Sequence, residues 1–372
     1  MKLVAQTAPY IRKNVSVKRM MLDVIIALMP VTLFSMVQNG WSGIYVILIS
    51  LLTMVLCELI CHMFIKWPKG MKPKELFSKE GFNKVKSTYT INNITAPVIS
   101  ALIYAMIMPA HCNPYVVFIG AFVGMFIGKM VFGGLGSNIF NPAAVGRMFV
   151  GICFGNSLSD AYKLQDAYIS ANASGTPLGV IKSDAGYNLA NTSNYSILDL
   201  FIGNIPGSMG EVCKICILIG AVYLFIRKSA DLRAALGYFL TFALVMFVAC
   251  ISFSSKNGGN VGEMWLYQIL AGGVLFGAVF MITDPVTSPT TKYGRLLYAA
   301  IAGCITALIR VCGAYPEGSA FSILIVNALA PCIDYFMRGK PNTYTWKQCV
   351  GLAAAIILVC CIVSATVMGG WF

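Results

Sequence analysis

Three short stretches of this 372-residue chain combine residue types that can do chemistry. In "SGTPLG", Ser174 to Gly179, hydroxyls sit on a small, polar run. A hydroxyl displayed this way, on Ser174 or Thr176, is a natural attachment point for a covalent group. The same run also reads as a plain loop with a turn, because Gly and Pro punctuate turns. "VFGGLGSNIFNPAAVGRMF", Val131 to Phe149, pairs glycines with amide side chains. Gly133 and Gly134 let backbone come close to backbone or ligand. Asn138 and Asn141 add amide donors, and Asn141 followed by Pro142 predicts a capped helix start. The stretch is either an ordinary helix break or a broken helix whose amides face a cofactor or an ion. "MITDPVTSPTTKYGR", Met281 to Arg295, places Asp284 before a proline among Thr283, Thr287, Thr290 and Thr291. Asp284 can cap a helix, or it can hold a cation or the polar edge of a cofactor.

Other reactive residue types carry less. "CKIC", Cys213 to Cys216, has a CxxC spacing but opens an apolar helix without a second pair. The thirteen cysteines are scattered, many within apolar runs, where they behave as small hydrophobes, and no disulfide framework is expected. The two histidines, His62 and His111, fall at the ends of different helices, so a bis-histidine haem is not expected. Charges inside apolar runs are costly there: Glu58, Lys129, Arg310 and Asp334. Taken singly, Lys129 and Arg310 are expected to snorkel to the membrane interface. Asn327 is expected to mediate helix packing.

The elements that must position these residues are transmembrane. The chain is 58% hydrophobic and 11% charged, with mean hydropathy +0.76. Soluble domains carry roughly a quarter charged residues, so this composition describes an integral membrane protein. No cleavable signal peptide is expected, since the first apolar run lacks a small-residue cleavage pattern after it. Lys plus Arg number 27 against 14 acidic residues. They lie between apolar runs, which fits cytoplasmic loops and not nucleic-acid binding.

Runs long enough to cross a bilayer fall near 21–39, 43–65, 92–110, 115–132, 140–155, 211–227, 232–253, 264–283, 293–312, 318–337 and 348–369. A cytoplasmic N-terminus puts the basic arm, "KWPKGMKPKELFSKEGFNKVKS" and the positives near 227, 292, 338 and 347 on one side. Segment 157–210, which holds Thr176, then lies outside the cytoplasm. "ALIYAMIMPAHCNPY" (101–115) also resembles "GAVFMITDPVTSPTTKYG" (277–294). Five spans separate them, an odd number, so the sequence predicts two inverted repeats with Gly/Pro-broken helices, a common way to build a transport site.

Five stretches taken together resemble a known family: "APYIRKNVSVKRMMLDVIIALMP" (8–30), "FGGLGSNIFNPAAVGRMF" (132–149), "SGTPLG" (174–179), "ITDPVTSPTTKYGR" (282–295) and "YPEGSAFSILIVNALAPCID" (315–334). They run in order over about nine-tenths of the chain. The chain resembles the RnfD/NqrB family, the membrane flavoprotein subunits of the Rnf ferredoxin:NAD oxidoreductase and of the sodium-pumping NADH–quinone oxidoreductase. The resemblance implies an all-α integral membrane protein with a ten-helix core of two inverted five-helix repeats. The eleventh span goes beyond that core as an extra C-terminal helix.

In this family the subunit carries FMN, held by a phosphoester bond to a threonine in a loop outside the cytoplasm. The resemblance therefore implies attachment to Thr176, flanked by Ser174, Gly175, Pro177 and Leu178. The alanine that usually precedes the threonine is missing here, which leaves Ser174 as the fallback. A second, non-covalent flavin (riboflavin or FMN) is implied as well. Its site or the ion path is expected around Lys129, Gly133, Gly134, Asn138, Asn141, Pro142, Asp284, Thr287, Thr290 and Glu317, with no metal site.

The implied layout is a cytoplasmic arm (1–20), a first membrane repeat (21–156), the FMN-bearing loop (157–210), a second repeat (211–338) and a linker with the extra helix (339–372). Implied partners are the other Rnf subunits, including a second flavinylated subunit and iron–sulfur subunits, within the cytoplasmic (inner) membrane. The resulting expectation is a subunit that couples ferredoxin:NAD⁺ electron transfer to Na⁺ or H⁺ translocation. The spans alone also fit a non-redox channel or a structural anchor.

Overall fold

The computed structural model describes residues 16–65, 92–169, 176–183, 195–313, 317–337 and 346–369, and those residues are helical without a strand. The first helix, α1 (Val17–Ile65), is the longest. Its apolar part, Val17–Phe64, runs 48 residues. At 1.5 Å per residue that is about 72 Å, more than twice the roughly 30 Å hydrocarbon layer. Gly40 breaks it: its φ of 56° and ψ of −136° lie outside the helix. The two arms correspond to the spans expected at 21–39 and 43–65.

The remaining elements follow in order. They are α2 (Asn92–Met106), α3 (Pro114–Met125) running into a π-helical turn (Phe126–Met130), α4 (Pro142–Cys153) and α5 (Gly155–Ile169). Next come α6 (Pro177–Ser183), α7 (Ile197–Ile202), α8 (Lys214–Arg227) and α9 (Leu232–Asn257). The last are α10 (Val261–Leu270), α11 (Val274–Phe276) with a second π turn (Gly277–Met281), α12 (Lys292–Cys312), α13 (Ser319–Phe336) and α14 (Trp346–Gly369). Among the described residues five helices are long and apolar enough to cross a membrane, six if the pair 261–270 and 274–281, bent by 56°, counts as one broken span. The span expected at 140–155 is a 12-residue helix, about 18 Å long, so it reaches only part-way. The segment expected as an outer loop, 157–210, is largely helical where it is described: it holds most of α5, and all of α6 and α7.

α1 packs against α2, α3 and α8, and α9 packs against α12, with α14 laid over both. Small residues permit the closest crossings. A Cβ on Gly303 of α12 would lie 2.5 Å from the Tyr238 carbonyl oxygen of α9 and against the Thr241 hydroxyl. Asp23, buried near the start of α1, accepts bonds from Ser229 Oγ (2.5 Å), Tyr223 Oη (3.2 Å) and Arg227 (3.3 Å), which pins α1 to the end of α8. The two π turns, at 126–130 and 277–281, lie in spans that the internal sequence resemblance does not pair with each other. The added C-terminal helix is present as α14.

Candidate functional site

Thr176 and Pro177 form the entry to α6, with Pro177 at its first position, where a missing N–H costs nothing. Thr176 Oγ1 accepts the Gly179 N–H at 3.1 Å. Its hydroxyl, with Pro177 and Leu178, lines a cavity of about 450 Å³. That volume lies within the range of small-molecule sites, about 300–1,000 Å³. Ser174 and Gly175 lie outside the described residues.

Polar groups from four other segments converge on the same cavity. Arg147, on α4, donates from Nη2 to Tyr162 Oη of α5 at 3.0 Å, and Tyr162 Oη lies 2.8 Å from Ser208 Oγ. Glu211 and Glu317, from segments more than a hundred residues apart, both line the cavity, their carboxyls beside Gly273 and Gly272 respectively. Lys214 is fully buried and donates to the carbonyls of Glu211 and Gly272, the latter at 3.2 Å. Gly272 has φ +76°, and a Cβ there would fall 2.6 Å from Leu178 Cδ1 and 3.0 Å from both Arg310 Nη2 and Glu317 Oε1. Only glycine lets these three groups meet at the cavity wall.

Arg310 does not snorkel. It is 1% exposed, lies over the Phe242 ring at 4.8 Å and donates to the Gln268 carbonyl at 2.7 Å. Lys182 of α6 donates to the carbonyls of Gly313 and Arg310, so the Thr176 helix is tied to the end of α12. Partial burial, and then the neighbouring Arg310 charge, hold the Lys182 ammonium below its ordinary pKa.

A second polar network lies away from the cavity. Lys129, in the first π turn, does not snorkel either: its Nζ meets Glu58 Oε2 at 2.5 Å, with both side chains almost wholly buried. Lys129 also feels the charge of Asp284. Asp284 accepts the Val286 N–H at 3.1 Å and the Thr287 hydroxyl at 3.3 Å, forming a turn and not a helix cap. The buried Asn327 amide, oriented to satisfy its neighbours, donates to Tyr298 Oη and to the Ile323 carbonyl (3.2 Å) and accepts the Asn141 N–H at 3.0 Å. The Asn141 side chain meanwhile caps α4 through Ala143 N at 3.0 Å, with Pro142 at the first helical position.

Asp284 and Thr287 thus bond within their own turn, Lys129 pairs with Glu58, and the Asn141 stretch is tied to α13 through Asn327. Gly133 and Gly134, with φ +109° and +88°, form the turn directly after Lys129, and Asn138 bonds the Phe140 carbonyl at 3.1 Å within the same stretch. Thr290 stands apart, held by Asp334 at 3.0 Å. Glu317 also leaves the expected group, since it faces the Thr176 cavity. Arg147, Tyr162, Ser208, Glu211 and Lys214 were not singled out from the sequence as site residues. Arg147 is quoted within "NPAAVGRMF" but reads there as one more positive charge, and "IPGSMGEV" carries no pattern that marks a site.

A family model described as NQR2, RnfD, RnfE matches residues 4–343. The chain is 31% identical over 335 residues to a subunit of the proton-translocating ferredoxin:NAD(+) oxidoreductase complex of Clostridium ljungdahlii, covering 89% of this chain and 93% of that protein. It is 30% identical over 344 residues to a subunit of the Na(+)-translocating ferredoxin:NAD(+) oxidoreductase complex of Acetobacterium woodii, covering 91% and 95%. Against a subunit of the Na(+)-translocating NADH-quinone reductase of Chromohalobacter salexigens it is 38% identical over 243 residues, 64% of this chain and 57% of that protein.

Proposed function

This chain belongs to the NQR2, RnfD, RnfE family and is a multi-pass membrane subunit of an ion-translocating electron-transport complex, and we propose that within it Thr176 carries covalently bound FMN. The observation that carries this reading is the Thr176 hydroxyl opening on a cavity of about 450 Å³ beside Arg147, Tyr162, Glu211 and Glu317. The residues fit the group. Thr176 Oγ1 uses one lone pair on Gly179 N–H and keeps its hydroxyl proton position free for a phosphoester. Ring-sized space and polar partners lie alongside.

When bound, FMN supplies one- and two-electron redox chemistry, while the protein orients it and sets its electrostatic surroundings. Thr176 fixes the phosphate end. Tyr162 and Ser208 hold the Arg147 guanidinium in place. Lys214 donates to the Glu211 carbonyl behind the cavity wall, and the Glu211 and Glu317 carboxyls place two proton-exchanging groups at that wall. Charge added in such a low-dielectric site is balanced by a nearby cation or proton, which is how electron transfer couples to Na⁺ or H⁺ movement. The Glu58–Lys129–Asp284 network and the Asn141–Asn327–Tyr298 bridge are assigned to a second, non-covalent flavin or to the ion path.

The ferredoxin:NAD⁺ reaction is favoured over NADH–quinone reduction because the chain covers 93–95% of two ferredoxin:NAD(+) subunits, at 30–31% identity, against 57% and 87% of two NADH-quinone reductase subunits. Partners are then a second flavinylated subunit and iron–sulfur subunits. The Lys/Arg bias places the N-terminus in the cytoplasm and Thr176 outside the cytoplasmic membrane. The test is in-gel flavin fluorescence of the denatured chain, matured with its flavin transferase. Wild type should fluoresce and Thr176→Ala should not. A wild-type band that never fluoresces would overturn the flavoprotein reading and favour a non-redox channel.

A further inference from the structure

The CxxC pair at the start of α8 belongs to none of the groups described above. Cys213 is the N-cap of α8, with extended backbone (φ −89°, ψ 102°), and its Sγ accepts the Cys216 N–H at 3.4 Å. The two sulfurs lie 3.1 Å apart. The extended cap decides this approach. Cys57 and Cys61 also stand close in sequence, but on a continuous helix. Helical geometry holds Cβ atoms four residues apart at about 5–6 Å, beyond the ~4 Å that a disulfide needs. At Cys213 the chain has left the helix, so the two side chains turn toward each other across the first turn. Bonding distance for two sulfurs is about 2.05 Å, so closure needs a shift of about 1 Å, within reach of side-chain rotation.

Exposure differs between the partners. Cys213 is buried, whereas Cys216 is partly open. The pair directly follows the wall of the Thr176 cavity in the chain. Glu211 and Val212 line that cavity, and Lys214, between the two cysteines, ties this turn to the Gly272 carbonyl.

We propose that Cys213 and Cys216 form a redox-active dithiol that closes to an intramolecular disulfide by exchange with a low-molecular-weight disulfide. Cys216, the accessible sulfur, attacks one sulfur of the external disulfide, forming a mixed disulfide and releasing one thiol. Cys213 then displaces the second thiol from Cys216, closing the Cys213–Cys216 bond. The two protons of the cysteine thiols leave on the two released thiols, so the external disulfide is reduced by two electrons and the pair is oxidised by two. Closure locks the first turn of α8 and with it the Lys214 tie at the cavity wall. The pairing stands independently of the flavin reading; only the side of the membrane it faces rests on the topology proposed above.

Lys214 makes the test specific, because trypsin cuts between the two cysteines. Full-length chain in native membranes is exposed to oxidised glutathione, alkylated, and digested without reductant. The expected product is peptide 183–214 joined to peptide 215–227, two hydrogens lighter than their sum and separated by reductant. In Cys213→Ser the resolving sulfur is gone, and a stable glutathione adduct should accumulate on Cys216. In Cys216→Ser, adduct on Cys213 should fall at least tenfold. Two separate peptides alkylated on both cysteines in the wild type would overturn the proposal, a readout that needs no variant to fold. Equal adduct on Cys213 in Cys216→Ser would overturn the assignment of Cys216 as the attacking sulfur.

Discussion

Lys129 Nζ lies 2.5 Å from Glu58 Oε2, and both side chains are withdrawn from solvent, joining the second arm of α1 to the π turn after α3. A buried charge that loses its partner is expensive, whereas replacing both partners by apolar groups is nearly neutral. Lys129→Met alone should therefore destabilise the solubilised protein by about 3–5 kcal/mol. Lys129→Met combined with Glu58→Leu should recover most of that loss. Thermal unfolding of the two variants checks it. If the double variant falls as far as the single, the pair does not act as a unit.

Attachment at Thr176 separates from attachment at its neighbour by intact mass. Protein matured with the transferase should carry the mass of one esterified FMN, retained in Ser174→Ala and lost in Thr176→Ala. The reverse pattern would move the bond to Ser174.

Arg147 tests the electrostatic role of the cavity wall. Arg147→Met should keep the covalent flavin, because Thr176 and the α6 entry remain intact. Losing the positive charge that Arg147 brings to the cavity wall would disfavour the more negative reduced form of a flavin held there. The potential should therefore become more negative by roughly tens of millivolts, on the order of 1–2 kcal/mol of charge interaction. A redox titration with an unchanged midpoint would place the guanidinium away from the ring.

Two glycines predict opposite signs. Gly303→Ala forces a methyl onto the Tyr238 carbonyl and the Thr241 hydroxyl at the α9–α12 crossing, so it should cost about 1–3 kcal/mol. Gly351, early in α14, has nothing within 4 Å of a built Cβ, and Gly351→Ala should gain about 0.5–1 kcal/mol from helix propensity and chain entropy. Unfolding midpoints of the two variants in one detergent check both signs.

Much of the architecture was legible in the chain. Apolar runs of bilayer length announce membrane helices because the membrane imposes that length on each of them. Asn141–Pro142 announced the start of α4, since capping is a local matter of three or four residues. The helical content of 157–210 was not legible. α5 is polar, and it is held by contacts from distant segments, Arg147 to Tyr162 and Asn39 to Gln165, which composition does not reveal.

The fate of the charges was decided by distance in space. Taken alone, Lys129 and Arg310 satisfy the rule that long basic side chains reach for the interface. Glu58, 71 residues from Lys129, and the Gln268 carbonyl, 42 residues from Arg310, gave them partners inside. Glu317 left the group in which the sequence placed it and lines the Thr176 cavity with Glu211 and Arg147, residues more than a hundred positions away in the chain.

By itself the sequence determined the class of protein, the positions of most helices, the family and the hydroxyl on which the cofactor reading rests. All of these depend on local composition or on ordered motifs. The tertiary structure alone decided which polar groups share a cavity with that hydroxyl and which buried charges neutralise one another. Those outcomes depend on segments far apart in the chain meeting at a few ångströms, and no one-dimensional pattern records such a meeting.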